Sequence, residues 1–358
     1  MNTKKDKTQA FKLGRGVSNN ADGRFEQLQH IPAVPQWPGD LHETDNKTTI
    51  TFEKAKRIIS YNQSPDVPFD RSINPYHGCE HGCVYCFARP SHAYHGLSPG
   101  LDFERKLFAK QNAAELLRDE LNAKNYRPAT IAIGVNTDAY QPIERKLGIT
   151  RRILEVLEES RHPLAIVSKS ALIQRDIDIL SSLARQGLVH VYISLTSLDN
   201  SLSRHMEPRA SSPKRRLETI AALHENGIPV GVMLAPMIPA INTDELEAML
   251  QAAKNAGAEQ ASYVLLRLPR ELKDIFTHWL AENFPLRQER VLQYIREMRE
   301  GKLYNNAFGT RMSGSGPYAE MLAQRFRLQC KKLGLNERTE ELRTDIFRKS
   351  ASPQMSLF

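Results

Sequence analysis

Cysteine is scarce in this chain, with four in 358 residues. So few thiols in so long a chain exclude a disulfide scaffold, and three of the four, Cys79, Cys83 and Cys86, crowd into eight positions. No apolar run approaches the roughly 20 residues that a membrane-spanning helix needs. The longest, near Ile228 to Ile238, falls well short. The first residues, Met1 to Lys12, are rich in Lys and lead into no apolar segment of a secretory signal. A cytoplasmic, reducing setting is therefore expected, where crowded thiols suggest metal. Acidic residues are outnumbered, 41 Asp and Glu against 49 Lys and Arg, for a formal net charge of +8. That surplus favours polyanions such as nucleic acid or an acidic membrane face, although net charge alone locates no patch.

What the chain does contain is alternation. Residues 1–45 read as a flexible tail, with a Lys-rich start, scattered glycines, and Pro32, Pro35 and Pro38 breaking any helix period. From about Ser72, short apolar runs alternate with amphipathic helical runs. Strands are expected near Ile73, Thr130–Val135, Pro163–Val167, Leu188–Leu195, Ile228–Leu234 and Ser262–Leu266. Helices are expected over Gln111–Ala123, Arg151–Glu159, Asp176–Gln186, Pro213–Glu225 and Asp244–Ala256. Such spacing means βαβ units and a parallel sheet. Six units predict an α/β fold, a partial (β/α)6 barrel of the TIM type over residues 46–270. Residues 271–348 predict a helical C-terminal extension, with helices over Glu271–Glu282, Arg287–Arg299 and Tyr318–Lys332, and residues 349–358 a short tail. In such a barrel, ligands sit at the carboxyl ends of the strands.

The stretch from Asn74 reads NPYHGCEHGCVYCFARP, a C-x3-C-x2-C spacing within a loop spanning 74–90. Gly78 and Gly82 allow the backbone to wrap tightly so that three thiolates converge. Thiolates ligate iron–sulfur clusters, and a four-iron cluster held by three cysteines leaves one iron open for chemistry. The competing reading is a zinc site completed by His77, His81 or Cys330. Structural zinc usually draws on two separated ligand pairs, which this stretch does not provide.

With Tyr85 as the aromatic before the third cysteine, the motif resembles the signature of the radical S-adenosylmethionine (SAM) superfamily. The segments GVNTDAYQPIE (Gly134–Glu144), SKSALIQRD (Ser168–Asp176) and MEPRASSPKRRL (Met206–Leu217) are similar to a bacterial DNA repair photolyase-like group related to spore photoproduct lyase. The resemblance covers roughly Arg71 to Lys332. It implies a 4Fe–4S cluster on Cys79, Cys83 and Cys86 whose unique iron chelates SAM. One-electron cleavage would then yield a 5′-deoxyadenosyl radical, with the electron drawn from a separate donor.

The barrel rule and the resemblance together nominate SAM contacts: Thr137 and Asp138 after the second strand, Lys169 after the third, and Ser194 with Thr196 after the fourth. The next loop holds Glu207, Arg209, Arg215 and Arg216, and Arg209 is the arginine expected at the cofactor. Tyr85, between two ligand cysteines, is expected outside any deep core, with a ring face beside adenine. Asp138 departs from the Gly-Gly-Glu-like segment that many superfamily members carry. The related lyase has an extra cysteine near its site that returns hydrogen to the product radical. The spare cysteine here, Cys330, is far along the chain, and Tyr76, Tyr94 and Tyr140 stand as alternative donors. GTRMSGSG (Gly309–Gly316) lacks the Walker spacing and reads as a loop leading into a helix.

The chain ends in QMSLF, and Gln354, Met355, Leu357 and Phe358 resemble the bacterial sliding-clamp-binding pentapeptide. A tail with apolar anchors and no core of its own can fill a pocket on a partner. The leading expectation is a radical SAM enzyme that repairs or modifies DNA at the clamp. Radical modification of RNA or a peptide is a second reading. A non-enzymatic, clamp-associated DNA-binding protein with a structural or redox-sensing cluster is a third.

Overall fold

The computed structural model describes residues 16–18, 20–25, 47–337 and 341–349. Ten strands are present among them: β1 (Thr49–Glu53), β2 (Ile59–Tyr61), β3 (Arg71–Ile73), β4 (Tyr76–His77), β5 (Lys106–Lys110), β6 (Ile131–Ile133), β7 (Leu164–Ser168), β8 (Val189–Ser194), β9 (Val230–Met237) and β10 (Gln260–Leu265). A seven-stranded sheet runs in the order β10-β9-β8-β7-β6-β3-β2. Its six strands from β3 to β10 pair in parallel, and β2 joins the β3 edge antiparallel. These are the six strands the apolar runs predict. β6, β7 and β9 are apolar at nearly every position because both faces are covered, while β3, β8 and β10 also carry polar residues. Val191, Val232, Leu234 and Leu265 belong to one continuous core with Leu117, Leu154, Leu180 and Leu250 from the surrounding helices.

Helices lie over Ala113–Asn122, Ile149–Glu159, Ile177–Ala184, Pro213–Glu225 and Leu246–Asn255, each near its expected place. Helix Ile149–Glu159 buries Ile149, Ile153, Leu154, Val156 and Leu157, the stripe of an amphipathic helix laid on a sheet. The sheet is a partial barrel, since β10 and β2 occupy its two edges. The Gly309–Gly316 loop ties those edges together. Met312 accepts a hydrogen bond from the Leu265 N–H of β10 at 2.9 Å. On the other side, Asp66 in the β2–β3 turn accepts the Gly309 N–H at 2.6 Å and pairs with Arg311. The loop thus has a structural duty across the seam besides leading into helix Pro317–Leu333.

A second sheet, β1-β5-β4, had no counterpart in the strand expectations. It backs the cysteine loop, because β4 runs directly into Gly78 and the Lys110 N–H bonds the Pro75 carbonyl at 3.1 Å. Helices Leu272–Asn283 and Gln288–Glu297 build a second core at the rim with Val84, Tyr85, Leu202 and Met206. Described residues of the N-terminal stretch join it. Val17 is buried there, and the Gly16 N–H bonds Glu104 at 3.0 Å. At the opposite end, residues 341–349 cross the amino ends of the strands. The Arg343 and Arg348 N–H groups bond the carbonyls of Gly187 and Ser160, each at 3.0 Å, and Phe347 packs on Tyr126 and His162. No helix among the described residues is long and apolar enough to cross a membrane.

Candidate cofactor site at the carboxyl ends of the strands

The cysteine loop leaves β4 and wraps over the carboxyl ends of the parallel strands. Gly78 takes φ 76°, and a Cβ there would lie 2.7 Å from the Leu107 side chain and 2.9 Å from the Phe103 carbonyl. A side chain at Gly78 would therefore push the loop off the small sheet behind it. Gln141 clamps the first turn from the barrel side, accepting the Glu80 N–H at 2.8 Å and donating to the Gly78 carbonyl at 3.1 Å. Arg89 clamps the far side. Its guanidinium, fully buried, donates to the carbonyls of Cys83, Pro99 and Gly100 and pairs with the equally buried Glu104. A charged pair in that position costs desolvation, and the three carbonyl bonds offset part of it.

Cys79 and Cys83 are buried, Cys86 is half-buried, and all are free thiols. Cys330 is also free, but it packs in the barrel core on helix Pro317–Leu333. That placement removes Cys330 from the competing zinc reading. His77 faces Glu53 at 3.5 Å, and His81 faces Asp138 at 3.4 Å. Among the described residues no group of three or more His, Cys, Asp or Glu is arranged around a single metal ion. A four-iron cluster takes a different iron with each thiolate, so its ligands need not share one coordination sphere.

The donor set suits a cationic cluster. Burial pushes the Cys79 thiol up to about 12, and the Asp138 carboxylate and Cys86 add to the effect. Burial and the Glu207 carboxylate likewise hold the Cys83 thiol well above its ordinary value, against Lys169. Thiols so placed stay protonated on their own, and a bound metal is what turns them into thiolates. The site therefore fits an iron–sulfur cluster by chemistry and by placement.

Around the loop, each nominated residue has a definite place. Asp138, at the end of β6, accepts bonds from Tyr140 N–H (2.9 Å), Ser168 Oγ (2.8 Å) and Lys169 N–H (2.7 Å). It thereby stitches β6 to β7. Thr137 donates its hydroxyl to the Tyr76 carbonyl at 2.9 Å, and Ser194 donates to the Ala235 carbonyl at 3.2 Å. Arg209 reaches back to the cysteine loop, pairing with Glu80 at 2.9 Å, while its N–H bonds the His81 carbonyl at 3.2 Å. Asp138, Thr137 and Ser194 are buried with these bonds, whereas Arg209 is exposed and engages the loop through one guanidinium nitrogen.

Lys169 and Thr196 differ. The Lys169 ammonium has no hydrogen-bond or ion-pair partner within contact distance among the described residues. Burial works against its charge, but Cys83, Glu207 and Asp138 outweigh that and raise its pKa. The Thr196 hydroxyl is buried without a partner among the described residues. A free ammonium and an orphaned hydroxyl at neighbouring strand ends are what a polar ligand would satisfy.

Tyr85 corrects its expectation. It is only 7% exposed and sits in the rim core, with its hydroxyl donated to Glu207. The rim helices and Val17 cover a loop that sequence alone leaves bare. Glu207 also takes Arg216, which in turn donates to the carbonyls of Ser211 (2.8 Å) and Ser194 (3.0 Å). Arg216 is thus a buried strut, and Arg215 is an exposed residue paired with Glu218. Burial alone would raise the Glu207 carboxyl, yet Arg216 and Lys169 hold it below the ordinary range. The Tyr85–Glu207–Arg216 network was not legible in sequence, because its members are far apart and individually look like surface residues. Among the candidate hydrogen donors, Tyr76 and Tyr140 are fully buried in the barrel core, and Tyr94 is 67% exposed at the rim.

A partial parallel α/β barrel that carries a three-cysteine loop over its strand ends defines a class of cofactor-dependent enzymes. The Radical SAM superfamily model matches residues 73–253, and the chain belongs to that family. Membership sets aside the reading as a non-enzymatic binding protein: the chain is a radical SAM enzyme, and the family implies an iron–sulfur cluster and SAM. An uncharacterized protein of Mycobacterium tuberculosis is 34% identical over 290 residues, covering 78% of this chain and 82% of that one. An uncharacterized protein of Methanocaldococcus jannaschii is 27% identical over 243 residues, covering 67% of this chain and 86% of its own. Among solved structures, spore photoproduct lyase complexed with dinucleoside spore photoproduct superposes with a TM-score of 0.58 at 15% identity, covering 80% of each chain. The fold is therefore shared with that lyase.

Proposed function

We propose that the chain holds a 4Fe–4S cluster on Cys79, Cys83 and Cys86, binds SAM beside it, and repairs or modifies DNA in the cytoplasm. The observation that carries this reading is the placement of three free thiols beside an unpartnered ammonium and an unpartnered hydroxyl at the strand ends. When bound, the cluster would pass one electron from a separate donor to SAM, whose C–S bond would break to give methionine and a 5′-deoxyadenosyl radical. The chain's own residues do the rest. Lys169 is placed to meet a carboxylate, and Thr196 to meet a hydroxyl. Asp138, Thr137, Ser194 and Arg209 hold the strand ends and the loop in register, so their part in cofactor binding is to shape the site. Tyr85 fixes the loop through Glu207, with its ring packed in the rim core. The rim core of helices Leu272–Asn283 and Gln288–Glu297 keeps water from the loop.

DNA as the substrate is supported by three independent features: the net charge of +8, the fold shared with a lyase solved with a dinucleoside photoproduct, and the QMSLF tail. Gln354, Met355, Leu357 and Phe358 lie outside the described residues. Residues 341–349, the last described ones, cross the face opposite the cysteine loop. The test is anaerobic reconstitution, followed by quantification of 5′-deoxyadenosine with ultraviolet-damaged DNA, undamaged DNA, RNA or no substrate. Product that rises with damaged DNA supports repair. Product that rises with RNA alone transfers the reading to RNA modification. Deleting Gln354–Phe358 is expected to abolish clamp binding, and unchanged binding refutes recruitment through the tail.

A further inference from the structure

At the exit of β10, next to the cysteine loop, two guanidinium groups interact with no carboxylate among the described residues to balance them. Arg267 lies over the ring of Phe87, 5.0 Å from its centroid, and Phe87 directly follows Cys86. The contacts of Arg267 are weak ones, Nη1 to the Met312 sulfur and Nη2 to the Tyr304 hydroxyl, each at 3.5 Å. Its Nε is buried without a hydrogen-bond partner among the described residues. Behind it, Arg299 is 1% exposed and donates to the carbonyls of Thr310 (2.7 Å) and Leu266 (3.0 Å). Burial first, and then repulsion from Arg267, pull the Arg299 pKa down to about 10. The Thr310 hydroxyl is also buried and unpartnered among the described residues. A buried, uncompensated pair of cations is costly, and an unmet guanidinium edge with an orphaned hydroxyl is the chemistry of an anion site.

The aromatic neighbours narrow the anion. Phe87 is 41% exposed, and the same rim carries Tyr94 at 67% and Phe25 at 58%. Tyr94 and Phe25 lie 5.7 Å apart, with Arg24, itself paired with Glu271 at 2.8 Å, over both and Arg270 reaching the Tyr94 hydroxyl at 3.4 Å. Exposed aromatic faces interleaved with arginines suit stacked bases joined by phosphates. A small anion would need the guanidinium groups and no exposed rings.

We propose that Arg267, backed by Arg299 and roofed by Phe87, binds a phosphodiester of single-stranded or locally unpaired nucleic acid, with an adjacent base stacked on Phe87. The proposal rests on the DNA reading above and deepens it. Arg267 is a substrate-binding residue here, and Arg299 positions it.

The test is fluorescence anisotropy of a labelled single-stranded deoxyoligonucleotide with reconstituted holoenzyme over a range of salt. Arg267→Ala is expected to raise Kd about tenfold and to lower the slope of log K against log salt by about 1. Arg267→Lys keeps the charge, so its slope stays near that of the parent while affinity falls. Phe87→Leu is expected to raise Kd about 5- to 100-fold with the slope unchanged. Arg327→Ala, on the exposed side of helix Pro317–Leu333, serves as the control. Arg267→Ala indistinguishable from Arg327→Ala, in a parent that binds the oligonucleotide, overturns the site and leaves the DNA reading standing. A parent that binds no oligonucleotide at all overturns both.

Discussion

Tyr85 and Glu207 are 122 positions apart, and the tyrosine hydroxyl donates to the glutamate inside the protein. The bond joins the middle of the cysteine loop to the segment after β8. Because Glu207 also neutralises Arg216, the contact belongs to a buried triad. Removing one partner of a buried pair leaves the other charge unmatched, at about 3–5 kcal/mol. Glu207→Ala is therefore expected to destabilise the apoprotein by that order in urea unfolding. Tyr85→Phe removes one hydrogen bond and leaves the ion pair intact, so a loss of about 1 kcal/mol is expected. Equal losses for the two variants contradict the triad.

Acid sensitivity follows from two histidines held neutral. His92 and His162 are fully buried, and burial pulls each down to about 4 from an ordinary 6.5. Between those values the unfolded chain binds protons that the folded chain refuses. Stability is therefore fully present above about pH 6.5 and falls as pH is lowered toward 4, by about 3 kcal/mol for each histidine at most. His162 sits at the base of the barrel, away from the cysteines, with Tyr126 and Phe347. His162→Gln removes one titrating group. The difference in urea midpoint between pH 7 and pH 4.5 is expected to shrink in the variant, and an unchanged difference rules out His162 as a source.

The six parallel strands were readable because each carries buried apolar residues in a short run between turn signals, although β3, β8 and β10 also include polar positions. The small β1-β5-β4 sheet was not. Thr49–Glu53 mixes exposed and half-buried residues, and Lys106–Lys110 follows a short helix without a break. The cysteines declared themselves by spacing. Their support did not, since Arg89, Glu104, Glu207 and Arg216 are charged residues that composition assigns to the surface. Their burial is a tertiary fact: each meets a partner brought from another segment. Lys169 was legible by its place at a strand end, but its lack of a partner became visible only in three dimensions.

Gly16 offers a test of the N-terminal contact. A Cβ built on it would fall 1.7 Å from the Gly82 carbonyl oxygen, between Cys79 and Cys83. No rotamer change relieves a clash with backbone. Gly16→Val is therefore expected to lift residues 16–25 away from the loop and to expose Val84 and Tyr85 beneath Val17. Limited proteolysis should cut the variant faster on the N-terminal side of β1, with the barrel left intact. Parent-like protection in the variant argues against the contact.

The cysteines divide by position. Cys79→Ser, Cys83→Ser and Cys86→Ser are each expected to abolish the iron content and the visible absorption of reconstituted protein. Cys330→Ala, in the barrel core, is expected to keep both while lowering the unfolding midpoint. Iron loss in Cys330→Ala, without global unfolding, would return Cys330 to the ligand set.

Lys169 carries the sharpest expectation for SAM. Its ammonium faces Cys83, Glu207 and Asp138 and makes no direct ion pair, so its charge is available to a ligand carboxylate. A charge-assisted hydrogen bond to such a group is worth about 1.5–3 kcal/mol. Lys169→Met, close in length and without charge, should weaken SAM binding about 10- to 100-fold in equilibrium dialysis with reconstituted protein. Iron content separates the alternatives. If iron falls in parallel with SAM binding, Lys169 acts by balancing the acidic groups around Cys83. If iron is retained and SAM affinity falls, the ammonium meets SAM itself.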